Sequence, residues 1–252
     1  MKKAISLPEW ALRLSSLICF LTIWELGSLV VGESLLLPGP LEVARRLLEL
    51  MGQAEFYRHL RATLVRGIGG FALSFAAALA AGILASAKKW FRILFQPFLV
   101  LLRSVPLMAL ILLAVLWFRQ NQVPYFVVFL IIFPIVMGNV VEGTLSQDPD
   151  ILEMAECFRI SPRDRLLHIT VPHLVPFILS ALSTGLGIAW KAVIAAEILI
   201  MPSRGIGTAM QRSQLELDSV SLFAWTISLL ALSGMTDGLI RLIPPFREEK
   251  LR

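Results

Sequence analysis

Six apolar runs constrain this chain more than any other feature of its 252 residues. They fall at about 10–31, 60–86, 97–118, 124–143, 172–197 and 221–243. Each approaches or exceeds the roughly 20 residues a helix needs to cross a bilayer core. Inside hydrocarbon the backbone must satisfy its own hydrogen bonds, so runs of this length predict helices. Composition agrees. Only 16% of residues are charged, and mean hydropathy is +0.77. Soluble domains carry about 25% charged residues. The expected fold class is therefore all-α, a polytopic membrane bundle of about six transmembrane helices. The first run follows basic N-terminal residues and lacks a small-residue cleavage pattern. It predicts a retained first span rather than a signal peptide.

Charge then orients the bundle. With the N-terminus inside, the inner segments hold eleven Lys and Arg and the outer segments six. That bias places both termini in the cytoplasm. The net charge of +5 is thus read as membrane orientation, and nucleic acid is not an expected partner. Span 2 is rich in Gly and Ala between Gly67 and Gly82, and span 5 carries Gly185 and Gly187. Small residues of this kind let helices pack closely in lipid. Between the first two spans, LEVARRLLELM follows a Pro-Gly-Pro entry. It predicts an amphipathic helix on the outer surface or against the bundle.

Catalytic chemistry finds no foothold. Cys19 and Cys157 have no paired spacing, and His59, His168 and His173 share no metal-ligand spacing. No cluster of nucleophile and acid/base is evident within the spans. No GxxxxGK[ST] loop is present to cradle ATP. Charges within spans are costly and mark contacts or pathways. Glu25 reads as a bundle-interior contact, and Asp237 and Arg241 as a local pair at helical spacing. Lys191 and Glu197, near the outer end of span 5, are the candidates for a translocation path favouring an anionic or polar solute. Pro106 and Pro134 are expected to kink spans 3 and 4, and Arg103 to snorkel toward the headgroups.

The segment EMAECFRISPRDRLLHITVP, Glu153 to Pro172, is a polar island between apolar runs. Asp148-Pro149 predicts a helix start, with the helix running to about Ile160. Ile151, Leu152, Ala155 and Phe158 then share a face. Ser161-Pro162 with Asp164 predicts a second start that leads into span 5. Such a helix–turn–helix outside the bilayer must cover its apolar face with lipid, its own bundle or a partner.

This island resembles the EAA loop of binding-protein-dependent ABC importer permeases. Glu153 and Ala155 match the Glu and second Ala of that pattern, with Met154 in place of the first Ala. Ile169 and Pro172 match its closing Ile and Pro, with Val171 for the Leu. Arg159 stands where the pattern has glycine. If the backbone there stays left-handed, arginine costs about 1 kcal/mol; alternatively Arg159 pairs with an acidic residue of a partner. Five further stretches resemble the nitrate/sulfonate/taurine-type branch. They are LLLPGPLEV at 35–43, HLRATLVRGIGGFALS at 59–74, QPFLVLLRSVPLMAL at 96–110, GLGIAWKAVIAAEIL at 185–199 and GIG at 205–207.

The resemblance implies a type I importer permease: one permease domain over 1–252, with a coupling loop at about 146–172. That loop would dock on an ATPase subunit through Glu153, Ala155, Arg159, Ile169, Val171 and Pro172. The resemblance also implies separate ATPase subunits that hydrolyse ATP, an extracytoplasmic substrate-binding protein and a second permease copy as a homodimer. The chain would sit in a bacterial inner membrane and pass a small polar or anionic solute, sulfonate-, nitrate- or taurine-like or a vitamin precursor. An ATP-independent secondary transporter or channel is the alternative, but no internal repeat supports it.

Overall fold

The computed structural model describes residues 9–242, and every described element is helical. In order they are α1 (Glu9–Val31), α2 (Pro40–Met51), α3 (Ala54–Ala87), α4 (Lys89–Ser104), α5 (Leu107–Trp117), α6 (Val123–Leu145), α7 (Pro149–Cys157), α8 (Pro162–Arg165), α9 (Val171–Ile200), α10 (Ile206–Leu215) and α11 (Ser219–Arg241). Five helical stretches are long and apolar enough to cross a membrane, and six if the bent pair α4–α5 counts as one. The all-α polytopic bundle is therefore observed.

The core is built on three helices. Helix α6 packs against both α3 and α9 and buries Val127, Val128, Ile132, Val136, Met137 and Val140. Facing it, α3 presents a stripe of small residues, including Gly70, Ser74, Ala78, Gly82 and Ala85, all buried. They recur at three- and four-residue steps, the spacing that lets helix backbones approach closely. At Gly82 a Cβ would sit 2.8 Å from the Cβ of Val140. The first helix stands apart: the 18-residue window that qualifies α1 as a span has no buried residue, as expected of a helix facing lipid. It is tied on by Trp24, which donates to the Pro38 carbonyl at 3.0 Å, and by Ser28, which donates to the Leu37 carbonyl at 2.9 Å.

Helix α2 is the amphipathic helix expected after the Pro-Gly-Pro entry, and it packs against the bundle. Val43 and Leu50 are buried, and Arg46 donates to the Ser221 hydroxyl at 2.8 Å and lies 3.8 Å from Asp218. Asp218 caps α11 by accepting from the Ser221 N–H at 2.9 Å. Burial pushes the Asp218 carboxyl up, but the hydrogen bonds from Ser221 and the Arg46 charge outweigh it and hold the carboxyl below the usual range.

Three expectations change. The third apolar run, expected as one span kinked at Pro106, is broken there. Helices α4 and α5 bend by 105° at Val105-Pro106. Val105 adopts φ −72°, ψ 127°. That is the extended state favoured before proline, and Pro106 has no N–H with which to continue the ladder. Arg103 does not snorkel. Its guanidinium turns onto α6, donates to the Pro134 carbonyl at 2.7 Å and fills the space where Gly138 has no side chain. Glu25 is exposed rather than interior, with its carboxylate beside Gly39. The expected Asp237–Arg241 pair involves the Arg241 side chain, which lies outside the described residues; both termini lie outside them too.

Gly82→Val should destabilise the bundle by about 1–3 kcal/mol through overpacking. At Gly234 a Cβ meets nothing within 4 Å. Gly234→Ala should therefore be neutral or stabilising by up to about 1 kcal/mol. Thermal midpoints of both variants in one detergent check this.

Candidate functional site

The island forms the helix–turn–helix expected of it. Asp148 accepts from the Asp150 N–H at 2.9 Å, and Pro149 opens α7. The helix stops at Cys157, short of the predicted end at Ile160. The Ile160 N–H reaches the Ala155 carbonyl at 2.9 Å and the Arg159 N–H reaches the Glu156 carbonyl at 3.0 Å. This is a Schellman pattern. Its left-handed position is Arg159, at φ 51°. The chain thus keeps the backbone state that glycine would favour and places an arginine in it. The predicted apolar face also divides. Ala155 is buried and Leu152 half-buried, whereas Ile151, Met154 and Phe158 are exposed, Phe158 at 76%. Glu153, Arg159, Val171 and Pro172 are exposed as well.

The second start follows. Ser161 accepts from the Asp164 N–H at 3.1 Å and donates to its carboxylate at 2.7 Å. One turn later the helix widens into a π turn, Leu166–Thr170, with the Val171 N–H bonded to Leu166. Pro172 explains the widening, because its ring excludes the carbonyl four residues earlier and it has no N–H to offer. Half-buried Ile169 lies in this turn and, with Ile151 and Leu152, lines a small cavity of about 220 Å³. The stretch Arg163–Ile200 then runs 38 residues. A helix of that length measures about 57 Å against a hydrocarbon core of about 30 Å, so it extends beyond the bilayer.

At the opposite end of the bundle a polar knot joins α3, α9 and α10. Glu197 is fully buried. Its carboxylate accepts from Thr63 at 2.8 Å, Arg66 at 2.7 Å and the Gly207 N–H at 3.0 Å. Arg66 also donates to the Arg204 carbonyl at 2.6 Å and to Asn121 at 2.9 Å. The Thr63 hydroxyl accepts from the Ile206 N–H at 2.8 Å. A Cβ on Gly205 would lie 2.5 Å from the Glu197 carboxylate, which accounts for the first glycine of Gly-Ile-Gly. His59 Nδ1 faces both the Gly205 N–H, at 3.0 Å, and its carbonyl, at 2.7 Å, so each tautomer makes one of the two bonds. Every partner of Glu197 is a donor, which is what a buried carboxylate requires.

Between the two ends lies the helix break. A cavity of about 390 Å³ opens there, with Arg103, Val105, Leu107, Pro134 and Lys191 among its walls. Arg103 also borders a larger space of about 660 Å³ between α4 and α6, lined by Arg92 and Glu142 among others. Lys191 is exposed and Glu197 enclosed, so the two candidate path residues on α9 are not brought together.

This architecture is shared with known transporters. A chain from the inward-facing MetNI methionine ABC transporter superposes with a TM-score of 0.60 at 14% identity, covering 75% of this chain and 95% of that one. A probable ABC transporter permease protein of Brucella melitensis is 31% identical over 217 residues, 84% of this chain and 87% of the relative. A putative aliphatic sulfonates transport permease protein of Bacillus subtilis is 28% identical over 226 residues, 88% of this chain and 81% of the relative. Residues 73–248 match the family described as the binding-protein-dependent transport system inner membrane component. This chain belongs to that family. It is a multi-pass ABC transporter permease.

Sequence reasoning on this permease missed Arg66, Thr63 and Asn121. Arg66 had a signal. It is a cation within the second apolar run, and a buried cation calls for a carboxylate, of which Glu197 is one within the spans. Thr63 and Asn121 carry no such signal, because their roles arise only when separate helices and loops meet. Among the described residues no group of His, Cys, Asp and Glu could hold a metal ion.

Arg66→Met strands the Glu197 carboxylate and should cost about 3–5 kcal/mol. Arg66→Met combined with Glu197→Met should recover most of that loss. Thermal midpoints of the purified permease around this double-mutant cycle test the pairing.

Proposed function

We propose that this permease is the membrane-spanning subunit of an importer of the sulfonate/nitrate/taurine-type branch, and that residues 146–172 couple it to a separate ATPase. The observation that carries the reading is α7. It is a capped nine-residue helix with Ala155 buried, Met154 and Phe158 exposed, and Ile151 at the edge of a small cavity. An apolar edge beyond the bilayer gains by burial, at about 25 cal/mol per Å² of apolar surface. A cleft in the ATPase subunit is the proposed cover, with Glu153 and Arg159 at its rim and Ile169, Val171 and Pro172 carrying motion into α9.

The remaining parts follow from that assignment. The chain acts as one permease domain in a bacterial inner membrane, with α7 and both termini on the cytoplasmic side. Two ATPase subunits hydrolyse ATP, an extracytoplasmic binding protein delivers the solute, and a second copy of this chain completes the path. The continuous helix from Arg163 to Ile200 runs from the docking segment, past Lys191, to the knot at Glu197. Displacement of the α7–π-turn unit would therefore be felt at the cavity and at the far end. Lys191 is the proposed path residue, and Glu197 serves closure of the far end.

Phe158→Asp and Met154→Asp alter exposed side chains and should leave the thermal midpoint unchanged. Loss of about 2 kcal/mol at an interface anchor would weaken ATPase association roughly 30-fold. Co-purification of the tagged permease with its ATPase reads this out, and undiminished association of both variants would move the docking surface elsewhere. Arg159→Gly should raise the midpoint by removing about 1 kcal/mol of left-handed strain, while lowering ATPase affinity through loss of the charge. A raised midpoint with unchanged affinity assigns Arg159 no contact with the partner.

A further inference from the structure

Two pairs of charged groups in the membrane-spanning region differ in kind. Arg66 and Glu197 neutralise one another, with further donors and acceptors around them. Arg103 and Lys191 do not. They line one cavity that no Asp or Glu lines, Glu142 bordering instead the neighbouring space that Arg103 also faces. Among the described residues Lys191 has neither a hydrogen-bond nor an ion-pair partner. Arg103 has one bond, to the Pro134 carbonyl. Most of the N–H donors of its guanidinium are left uncommitted.

Depth makes this arrangement costly. Helix α6 has 23 residues, and Pro134 lies at its midpoint. A helix of that length measures about 34 Å, so it just spans the core. Arg103 binds the backbone at that midpoint, and Lys191 borders the same space. Two cations at mid-membrane raise the energy of the empty cavity and call for a negative charge. The rest of the wall is largely apolar, with Leu102, Val105, Leu107, Ile131, Ile135 and Ile188. At about 390 Å³ the space is at the small end of ligand cavities. Its chemistry fits a compact anionic head on a short apolar body.

We propose that Arg103 and Lys191, facing one mid-membrane cavity beside the α4–α5 break, form a transient binding site for a small singly charged oxyanion, a short-chain sulfonate or carboxylate, in transit through the permease. This rests on the importer reading and adds a residue-level site to it. Arg103 is held by its bond to α6 and supplies a fixed fork, whereas Lys191 supplies a mobile charge on the helix that runs on from the docking segment. The break at Pro106 opens the wall between them, since α5 leaves at 105° from the line of α4. A phosphate headgroup carries related charge chemistry, so the test must separate lipid from solute.

The full chain with its partner ATPase, in phosphatidylcholine nanodiscs, is titrated with sodium ethanesulfonate and its melting midpoint followed. Saturable stabilisation is expected, with none from ethyl methyl sulfone, the neutral analogue. Lys191→Met should weaken the apparent affinity by about tenfold or more, whereas Lys191→Arg, which keeps the charge, should stay within about threefold. Wild-type affinity in Lys191→Met, or equal binding of the sulfone, overturns the site. So does an effect seen only when phosphatidylglycerol replaces part of the lipid and the soluble anion does nothing, because the occupant is then a headgroup. ATPase retention in the same preparations separates the two readings. ATPase absent from the wild-type preparation counts against the importer assignment. ATPase present while Lys191→Met binds normally counts against the anion site alone.

Discussion

The close approach of α3 to α6 is the contact on which the rest of the bundle depends. Lipid tails are as apolar as leucine, so burial alone does not draw helices together in a membrane. Dispersion does, and it falls away steeply with distance. The small residues of α3 reduce the separation until Val128 and Val140 of α6 pack against helix backbone rather than side chains. Helix α9 then closes on another face of α6, with Gly143 leaving room for Phe177. With those three helices fixed, α10, α11 and α2 have a surface to dock on, and α1 completes the lipid-facing side.

A helix inside hydrocarbon must keep its hydrogen-bond ladder, and this chain departs from it at prolines. Three prolines show three outcomes. At Pro106 the ladder ends, and the chain turns by 105°. At Pro172 the helix widens by one residue and continues. At Pro134 the helix runs through unbroken, and the carbonyl of that residue gains a guanidinium donor from Arg103. The first borders a cavity, the second joins α8 to α9, and the third holds the Arg103 guanidinium at the middle of α6. The same residue type thus produces a break, a joint or an anchoring point according to what lies beside it.

Much of this was legible in the sequence. Run lengths located six spans because hydrocarbon thickness sets a minimum, and Asp148-Pro149 and Ser161 marked helix starts because capping is local. Arg159 was singled out because it stands where the EAA-loop pattern has glycine, and its backbone kept the left-handed state glycine would favour. The failures were of another kind. Helical periodicity placed Ile151, Leu152, Ala155 and Phe158 on one face, but only Ala155 is buried and Leu152 half-buried, while Phe158 is exposed and Ile151 borders a small cavity. Composition could show that span 3 held a proline, but not whether the helix would bend or break. Nor could it say that Glu197 would meet Arg66 while Lys191 met no anion, because pairing across helices depends on rotation about each axis.

That last distinction bears on the proposed anion site. A buried ion pair with full hydrogen bonding is at best weakly stabilising against an apolar replacement, but it fixes one geometry. Glu197 and Arg66 lock the far ends of α3 and α9 to the Gly-Ile-Gly turn in that way. A cation without a carboxylate partner raises the energy of the empty state. At the proposed anion site, a mobile anion would neutralise Arg103 and Lys191 for part of the cycle. A site that binds an anion well when occupied and is strained when vacant is also one that need not bind too tightly, since the strain offsets part of the attraction. Transport needs that balance: entry must be favourable, and exit must not be slow.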